Sequence, residues 1–378
     1  MRDKLFKIVC LGSFLTSFSY GVMLTLPMYL NEYLKFPITF SGEVISFGVI
    51  GVLLSIILIP FMSKFIKSSN LASLGALIYA LAILFLLTGN KSIIYFSGLL
   101  LGAGWGVIYT LGPIIVSASS SQEMLSKNFM LISAFNMLGA GLSPVLVKIL
   151  LKYNVAIVNI YLLACILAFT SSCVFYFINT NNAKVLIQKS IFFYLKKTLS
   201  TKAIIPSMMV LLGACIFSTM MNFQVTIAKH KLLDFSIFYV SYTVSILFSR
   251  FFLNKYILLI RRCYAIPLLI IMMTVSLILF IFTDNNLFYI IPSSLLGVSY
   301  GLVYPLIQTE MVANVPESDR GGYLTIFSLF YFIGVFGYPY FFTIFLKNNG
   351  FIISLYILIA ICIFELFVSL FLLKRIKP

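Results

Sequence analysis

Charge is what this sequence has least of. Asp, Glu, Lys and Arg make up 10% of its 378 residues and hydrophobic residues 61%, whereas an ordinary soluble domain is roughly a quarter charged. That ratio excludes a water-soluble globular fold. Histidine occurs once, acidic residues number ten, and no two or three carboxylates cluster inside the apolar runs. This argues against a metal or sodium site. It also argues against a membrane-embedded lipid enzyme, which needs His, Asp or Glu gathered at one membrane face. The six cysteines form no CxxC pair and fall singly inside apolar runs, as small packing residues do. Long polar stretches are missing too, which leaves no room for a soluble catalytic domain. The protein is expected not to be an enzyme, and no cofactor is expected.

What the sequence does have is apolar runs of membrane-spanning length, about 20 residues each. They lie near 6–30, 41–62, 71–89, 92–117, 128–150 and 155–177, then near 203–228, 235–254, 264–283, 287–312, 322–346 and 351–373. Taken in order as spans 1 to 12, they predict an all-α membrane protein with twelve transmembrane helices in two six-helix bundles. The first run is too long for a signal-peptide core and lacks a clear small-residue cleavage site, so it is read as span 1. The bundles are residues 1–177 and 203–378, joined by a cytoplasmic connector, 178–202. Five lysines there surround Ile191-Phe192-Phe193-Tyr194-Leu195, which predicts a short amphipathic helix on the inner leaflet.

Eighteen of the 26 Lys and Arg fall on the side that holds both termini and seven on the other, with Arg250 inside span 8. The positive-inside rule makes the richer side cytoplasmic. The net charge of +16 therefore sits at helix ends, and nucleic-acid binding is not needed to explain it.

The chain also repeats itself at an offset of 195. Leu100-Leu101-Gly102 recurs as Leu295-Leu296-Gly297, and Trp105, Gly106 and Tyr109 recur as Tyr300, Gly301 and Tyr304. Ser133, Phe135, Gly139 and Pro144 recur as Ser328, Phe330, Gly334 and Pro339. A repeat of half the chain length in apolar sequence implies two similar halves with a solute site between them at the bilayer midplane, as in many secondary transporters. Gly98, Gly102 and Gly106 on span 4, and Ser293, Gly297 and Gly301 on span 10, step by four and so share a face that admits close helix approach. The neighbouring face carries Trp105 and Tyr109 on span 4 and Tyr300, Tyr304 and Gln308 on span 10. They are candidate platforms for an organic ligand. Tyr20 and Thr16 on span 1, Asn136 on span 5, and Asn222 and Gln224 on span 7 are candidate polar groups to orient it. Pro113 and Pro305 are expected to bend or weaken spans 4 and 10.

A charge at mid-bilayer costs about 2.5–3.5 kcal/mol on insertion scales, so each exception marks a functional candidate. Glu365 lies well inside span 12 and is a candidate proton carrier. Glu310 and Arg250 fall near the cytoplasmic ends of spans 10 and 8, where they are expected to pair with each other or with inner loops as a gate.

The stretch Leu295–Pro339, with Gly301-Leu302-Val303-Tyr304-Pro305, Arg320-Gly321, Gly334 and Pro339, resembles helices 10 and 11 of the major facilitator superfamily, and is most similar to its bacterial exporters. The resemblance implies alternating access, with spans 1, 4, 7 and 10 lining the cavity and spans 3, 6, 9 and 12 outermost. Between helices 2 and 3 the family carries roughly G-x-x-x-D-R-x-G-R-R. Here Lys64 and Lys67 keep the basic positions of that conformational motif, but Ser63 replaces the acid. Gly139-Ala140-Gly141-Leu142-Ser143-Pro144 partly matches the exporter signature of helix 5. The implied function is proton-coupled export of a small amphipathic organic compound, either a drug-like molecule or a metabolite such as a siderophore or metallophore. Uptake by the same fold, or a sensor that binds without transport, is the alternative. The expected partners are the solute, protons and membrane lipid, and the expected state is a monomer in the inner or plasma membrane with both termini cytoplasmic.

Overall fold

The computed structural model describes residues 2–118, 120, 124–177 and 190–372. The first part of the expected connector, 178–189, and the basic end of the chain, 373–378, lie outside the described residues. All regular structure among the described residues is helical. Helix 1 runs Arg2–Met23 and resumes as Leu26–Met28 before a π-helical turn to Tyr33. Helices 2 to 6 are Ile38–Met62, Ser68–Leu86, Lys91–Ala118, Leu125–Lys152 and Ile157–Tyr176. Helix 7 is Ile204–Asn222, interrupted at Phe223 and continued as Gln224–His230. Helix 8 is Phe235–Phe248, followed by a π-helical turn, Ser249–Leu253. Helices 9 and 10 are Arg262–Ile281 and Asn286–Val312. Helix 11 starts as Glu317–Phe332 and passes through a third π-helical turn, Ile333–Gly337.

Eleven apolar helical stretches are long enough to cross a membrane, and the last, Glu317–Leu370, holds two helices. The chain breaks inside it at Gly350, with φ 78° and ψ 178°, backbone angles open essentially to glycine alone. Helix 11 ends there, and residues 351–370 form helix 12. The fold thus has twelve membrane helices.

Glycines set the spacing of these helices, and they do so twice. On helix 4, a Cβ at Gly102 would overlap the backbone of Gly48 on helix 2, and one at Gly98 the carbonyl of Val44. On helix 10, the repeat counterpart Gly297 lies against the Tyr242 carbonyl of helix 8. Gly139 of helix 5 packs on the backbone of Phe14 and Phe18 in helix 1, and its counterpart Gly334 of helix 11 packs on Leu211 and Cys215 in helix 7. In hydrocarbon, helices associate by such close packing, since lipid tails are as apolar as the side chains.

The basic end of the bundle carries Lys64, Lys67, the connector helix Ile191–Leu199 and Arg262. The connector helix forms where the sequence placed it, with its buried face against the start of helix 11. Tyr194 donates to Asp319 at 3.1 Å and packs on Gly322 and Tyr323 at the start of helix 11, while Phe192 and Leu199 stay exposed. The two halves also touch at this end, where Ser126 of helix 5 meets Thr309 of helix 10 at 3.1 Å. At the opposite end Lys148 of helix 5 pairs with Asp234, and Lys229 pairs with Glu32 at 2.8 Å. Gly42 packs on Thr343, and Ser46 accepts a hydrogen bond from the Tyr340 amide at 3.2 Å.

Gly102→Val is expected to lower the thermal unfolding temperature in detergent sharply, by the 1–3 kcal/mol or more typical of overpacking. Gly112→Ala, whose Cβ would meet only Ile132 Cδ1 at 3.4 Å and Ser13 at 3.9 Å, should leave it within a degree or two.

Candidate functional site at the seam between the halves

Aromatic rings from both halves fill the centre of the seam. Tyr20 of helix 1 stacks on Trp105 of helix 4, with centroids 4.3 Å apart and planes 11° from parallel. In the other half Phe217 of helix 7 stacks on Tyr300 of helix 10 at 5.0 Å and 14°. These pairs are counterparts. Tyr300 is Trp105 plus 195, and Phe217 is Tyr20 plus 197, the same shift that relates Phe14 to Leu211 in the glycine contacts. Tyr109 joins the halves by stacking on Tyr331 of helix 11 at 5.1 Å and 10°, with Tyr304 at 6.4 Å and Phe332 at 5.7 Å. Trp105, Tyr109, Tyr300 and Tyr304 are all buried, and the structure brings them together. Tyr331 and Phe217 belong to the same cluster and are absent from the sequence reading.

Proline decides where the backbone offers bonds. Helix 10 continues through Pro305, which has no amide to donate to the Gly301 carbonyl four residues earlier. Arg250, on the π-helical turn of helix 8, donates its Nε to that carbonyl at 2.8 Å. Pro339 likewise leaves the Val335 carbonyl free, and Ser218 of helix 7 donates to it at 2.5 Å. Helix 4 also continues through Pro113, so neither proline breaks its helix.

Two small cavities border the cluster. One of about 30 Å³ is lined by Tyr20, Met23, Tyr79, Leu101, Asn222 and Phe336, beside the interruptions of helices 1 and 7. Another of about 10 Å³ is lined by Ser17, Trp105, Tyr109, Pro113 and Asn136. Asn136 accepts from Ser17 at 3.2 Å, and Asn222 donates to the Ser218 carbonyl at 2.9 Å. Ligand pockets for organic molecules run to about 300–1,000 Å³, so neither cavity admits one until the halves separate.

Other expected residues lie elsewhere. Thr16 turns away from the seam to Ser171 of helix 6, at 2.6 Å. Gln224, past the interruption of helix 7, donates to the Tyr289 hydroxyl inside its own half. Gln308 is buried one turn beyond Tyr304 and lines neither cavity. The expected pair of Arg250 with Glu310 is not formed. Glu310 binds Arg262 at 3.0 Å and lines a cleft of about 410 Å³ at the basic end, whereas Arg250 is 2% exposed at the aromatic cluster. Lys64 and Lys67 are exposed between helices 2 and 3. Glu365 of helix 12 is fully enclosed, with both carboxyl oxygens lacking a hydrogen-bond partner. It faces helix 7 at Gly213, where a Cβ would stand 3.3 Å from Oε1.

Two six-helix halves that repeat their packing and enclose an aromatic seam define a polytopic membrane transport protein. The sequence matches the Major Facilitator Superfamily over residues 9–339, and the chain belongs to that family. It is a transporter by fold and family, not an enzyme. No curated protein matches the sequence. Among solved structures, the human organic anion transporter MFSD10 (TETRAN) is similar at 12% identity, TM-score 0.75, over 97% of this chain and 99% of that one. The E. coli fucose:proton symporter FucP is similar at 14% identity, TM-score 0.73, over 99% of this chain and 98% of that one. The proton:xylose symporter XylE is similar at 11% identity, TM-score 0.74, over 100% of this chain and 96% of that one. At such identities the likeness is one of fold.

The seam's opposite end should respond to pH through Asp234, which caps helix 8 by accepting from the Ser236 amide at 2.9 Å. Burial pushes its carboxyl up, but hydrogen bonds from Lys148 and Ser236 outweigh burial and hold it below the ordinary carboxylate value. A depressed carboxyl stabilises the closed end above its ordinary pKa of about 3.9 and loses that effect as pH falls through the lower value. With native cysteines removed, spin labels at Lys152→Cys and Leu232→Cys should move apart between pH 6 and pH 3. Asp234→Asn should populate the open end about 1.4–5-fold more already at pH 6, as a half-exposed pair of about 0.2–1 kcal/mol implies. Distances unchanged by both treatments would show that the pair does not hold the end shut.

Proposed function

We propose that this protein is a secondary active transporter of the cell membrane that exports a small amphipathic organic compound in exchange for protons. The observation that carries this reading is the pair of related stacks, Tyr20 on Trp105 and Phe217 on Tyr300, joined across the halves by Tyr109 and Tyr331. Parting the halves separates Tyr109 from Tyr331 and exposes ring faces on both walls, which suits an aromatic or amphipathic solute. Asn136 and Asn222, beside the two cavities, supply polar groups to orient it. The halves open in turn to each side of the membrane.

Proton coupling is supported by Glu365. Its two carboxyl oxygens are buried without a hydrogen-bond partner or counter-charge in a membrane helix, the kind of position where a carried proton has a role. FucP and XylE, similar in fold, are named as proton symporters. One proton crossing 100 mV supplies about 2.3 kcal/mol, enough for roughly a fiftyfold solute gradient. The partial exporter signature Gly139–Pro144 supports the outward direction, and the positive-inside rule supports cytoplasmic termini.

The test is solute-driven proton flux in sealed proteoliposomes with a pH-sensitive dye inside, screened with aromatic amines, amides and carboxylates. An acid interior should drive solute into the vesicles, as exchange requires. Glu365→Gln should abolish the coupled proton flux. Tyr331→Ala should weaken solute affinity about 2- to 13-fold, the loss expected for one stacking contact of about 0.5–1.5 kcal/mol. Solute entry driven by an acid exterior would overturn the exchange mechanism.

A further inference from the structure

Arg250 carries a chemistry that an apolar, proton-coupled seam does not need. It sits on the π-helical turn Ser249–Leu253, a local geometry that recurs at functional positions. The side chain is 2% exposed and its Nε is fixed on the Gly301 carbonyl at 2.8 Å. Its Nη1 and Nη2 are buried without any hydrogen-bond partner. Among the described residues the carboxylates that form ion pairs are engaged elsewhere, Glu310 with Arg262, Asp234 with Lys148, Glu32 with Lys229, Asp319 with Lys197 and Glu317 with Arg320. The titratable groups facing the guanidinium are hydroxyls, those of Tyr242, Tyr109, Tyr300 and Tyr304.

A guanidinium held by one nitrogen, with its outer two nitrogens empty, lacks the partner that would make it a structural ion pair. Leaving a buried charge unanswered is costly, and such a residue placed purely for stability is better replaced by an apolar one. The geometry points to an anion subsite: Arg250 receives a carboxylate of the solute, one oxygen on each of Nη1 and Nη2, while the rings around Trp105, Tyr109 and Tyr331 take its apolar body. The planar fork matches a carboxylate in bidentate fashion, and the Nε anchor fixes its plane before the ligand arrives. Tyrosine hydroxyls around it are donors for the outer lone pairs. Tyr109 acts electrostatically on the guanidinium and lines the cavity with Trp105 and Asn136, which sets the ring site on the guanidinium's side of the seam. This assignment of solute class rests on the proposed transport, whereas the binding it describes does not.

Trp105 is the chain's single tryptophan and reports on the site directly. Purified full-length protein in nanodiscs at pH 7 is titrated with phenylacetate, phenylacetamide and phenethylamine, which share a ring and differ in charge. Phenylacetate should quench Trp105 fluorescence saturably and bind at least tenfold more tightly than the amide or the amine. Arg250→Gln should erase that preference, and Arg250→Lys, which keeps charge without the fork, should retain only part of it. Phenylacetate should raise the melting temperature of wild type but not of Arg250→Gln, whereas loss of a merely structural arginine would leave that shift in place. Equal binding of the three probes by wild type, no saturable quenching by phenylacetate, or a preference that survives in Arg250→Gln would each overturn the subsite. Inorganic phosphate binding as tightly as phenylacetate would assign the charge to a free ion and overturn it too. In vesicles, phenylacetate preference without any flux would refute transport and leave the subsite. Flux of the amide or amine without anion preference would do the reverse.

Discussion

Inside a bilayer a polar group has only protein to bond with, and that constraint orders the whole molecule. Each place where a helix is interrupted shows how the demand is met. The break after Met23 is closed by Thr25 on the Val22 carbonyl at 2.7 Å, and the break at Phe223 by Tyr239 on the Met221 carbonyl at 2.6 Å. Pro339 frees a carbonyl for Ser218, and Pro305 frees one for Arg250. With the backbone satisfied this thoroughly, the groups left unanswered stand out. They include the outer nitrogens of Arg250 and both oxygens of Glu365.

The two halves obey the same packing rule and differ in what they display. Gly102 and Gly297 draw helices 4 and 10 onto helices 2 and 8, and Gly139 and Gly334 draw helices 5 and 11 onto helices 1 and 7. On that shared frame Trp105 is answered by Tyr300 and Asn136 by Tyr331, so the walls of the seam are alike in shape and unlike in chemistry. Its cavities of about 30 and 10 Å³ hold water-sized guests at most. The middle is closed by stacked rings, while the far rim is closed by the pairs Lys148–Asp234 and Lys229–Glu32, which are partly exposed and therefore individually weak. A rim of weak pairs around a ring-filled centre opens more easily than a continuous apolar core.

The spans, their number and the half-repeat were legible because they rest on length, hydropathy and spacing, properties local to the sequence. Gly102 and Gly297 were readable as close-approach positions for the same reason. Tyr331 was within reach, since it is Asn136 plus 195, but the substitution of ring for amide hid it. Phe217 was hidden by a two-residue slip, because helices 1 and 7 align at 197 while helices 4 and 10 align at 195. Gln224 was misplaced because Phe223 interrupts helix 7 and carries the next turn toward Tyr289. Depth alone left Arg250 and Glu310 to pair with each other or with inner loops, and only Glu310 takes the second course. The π-helical turn and the donorless Pro305 hold Arg250 among the tyrosines, while Glu310 reaches Arg262 at the inner start of helix 9. Neither choice of partner is written in spacing.

Arg250 of helix 8 and Glu365 of helix 12 both act electrostatically on Tyr300, and each lacks the opposite charge. On the proposed reading the solute's carboxylate answers the first and a proton the second, and the direction of transport then follows from charge. A monoanion leaving a cell whose interior is negative moves with the membrane potential, as does the proton entering in exchange. Two charge equivalents per cycle give about 4.6 kcal/mol at 100 mV, a gradient of roughly two-thousandfold, against fiftyfold for a neutral solute. Uptake of the same anion would run against the potential, and one proton would do no more than cancel its charge. A cationic subsite at the centre of the seam is therefore a stronger argument for export than the helix 5 signature, because it acts through the energetics of the cycle.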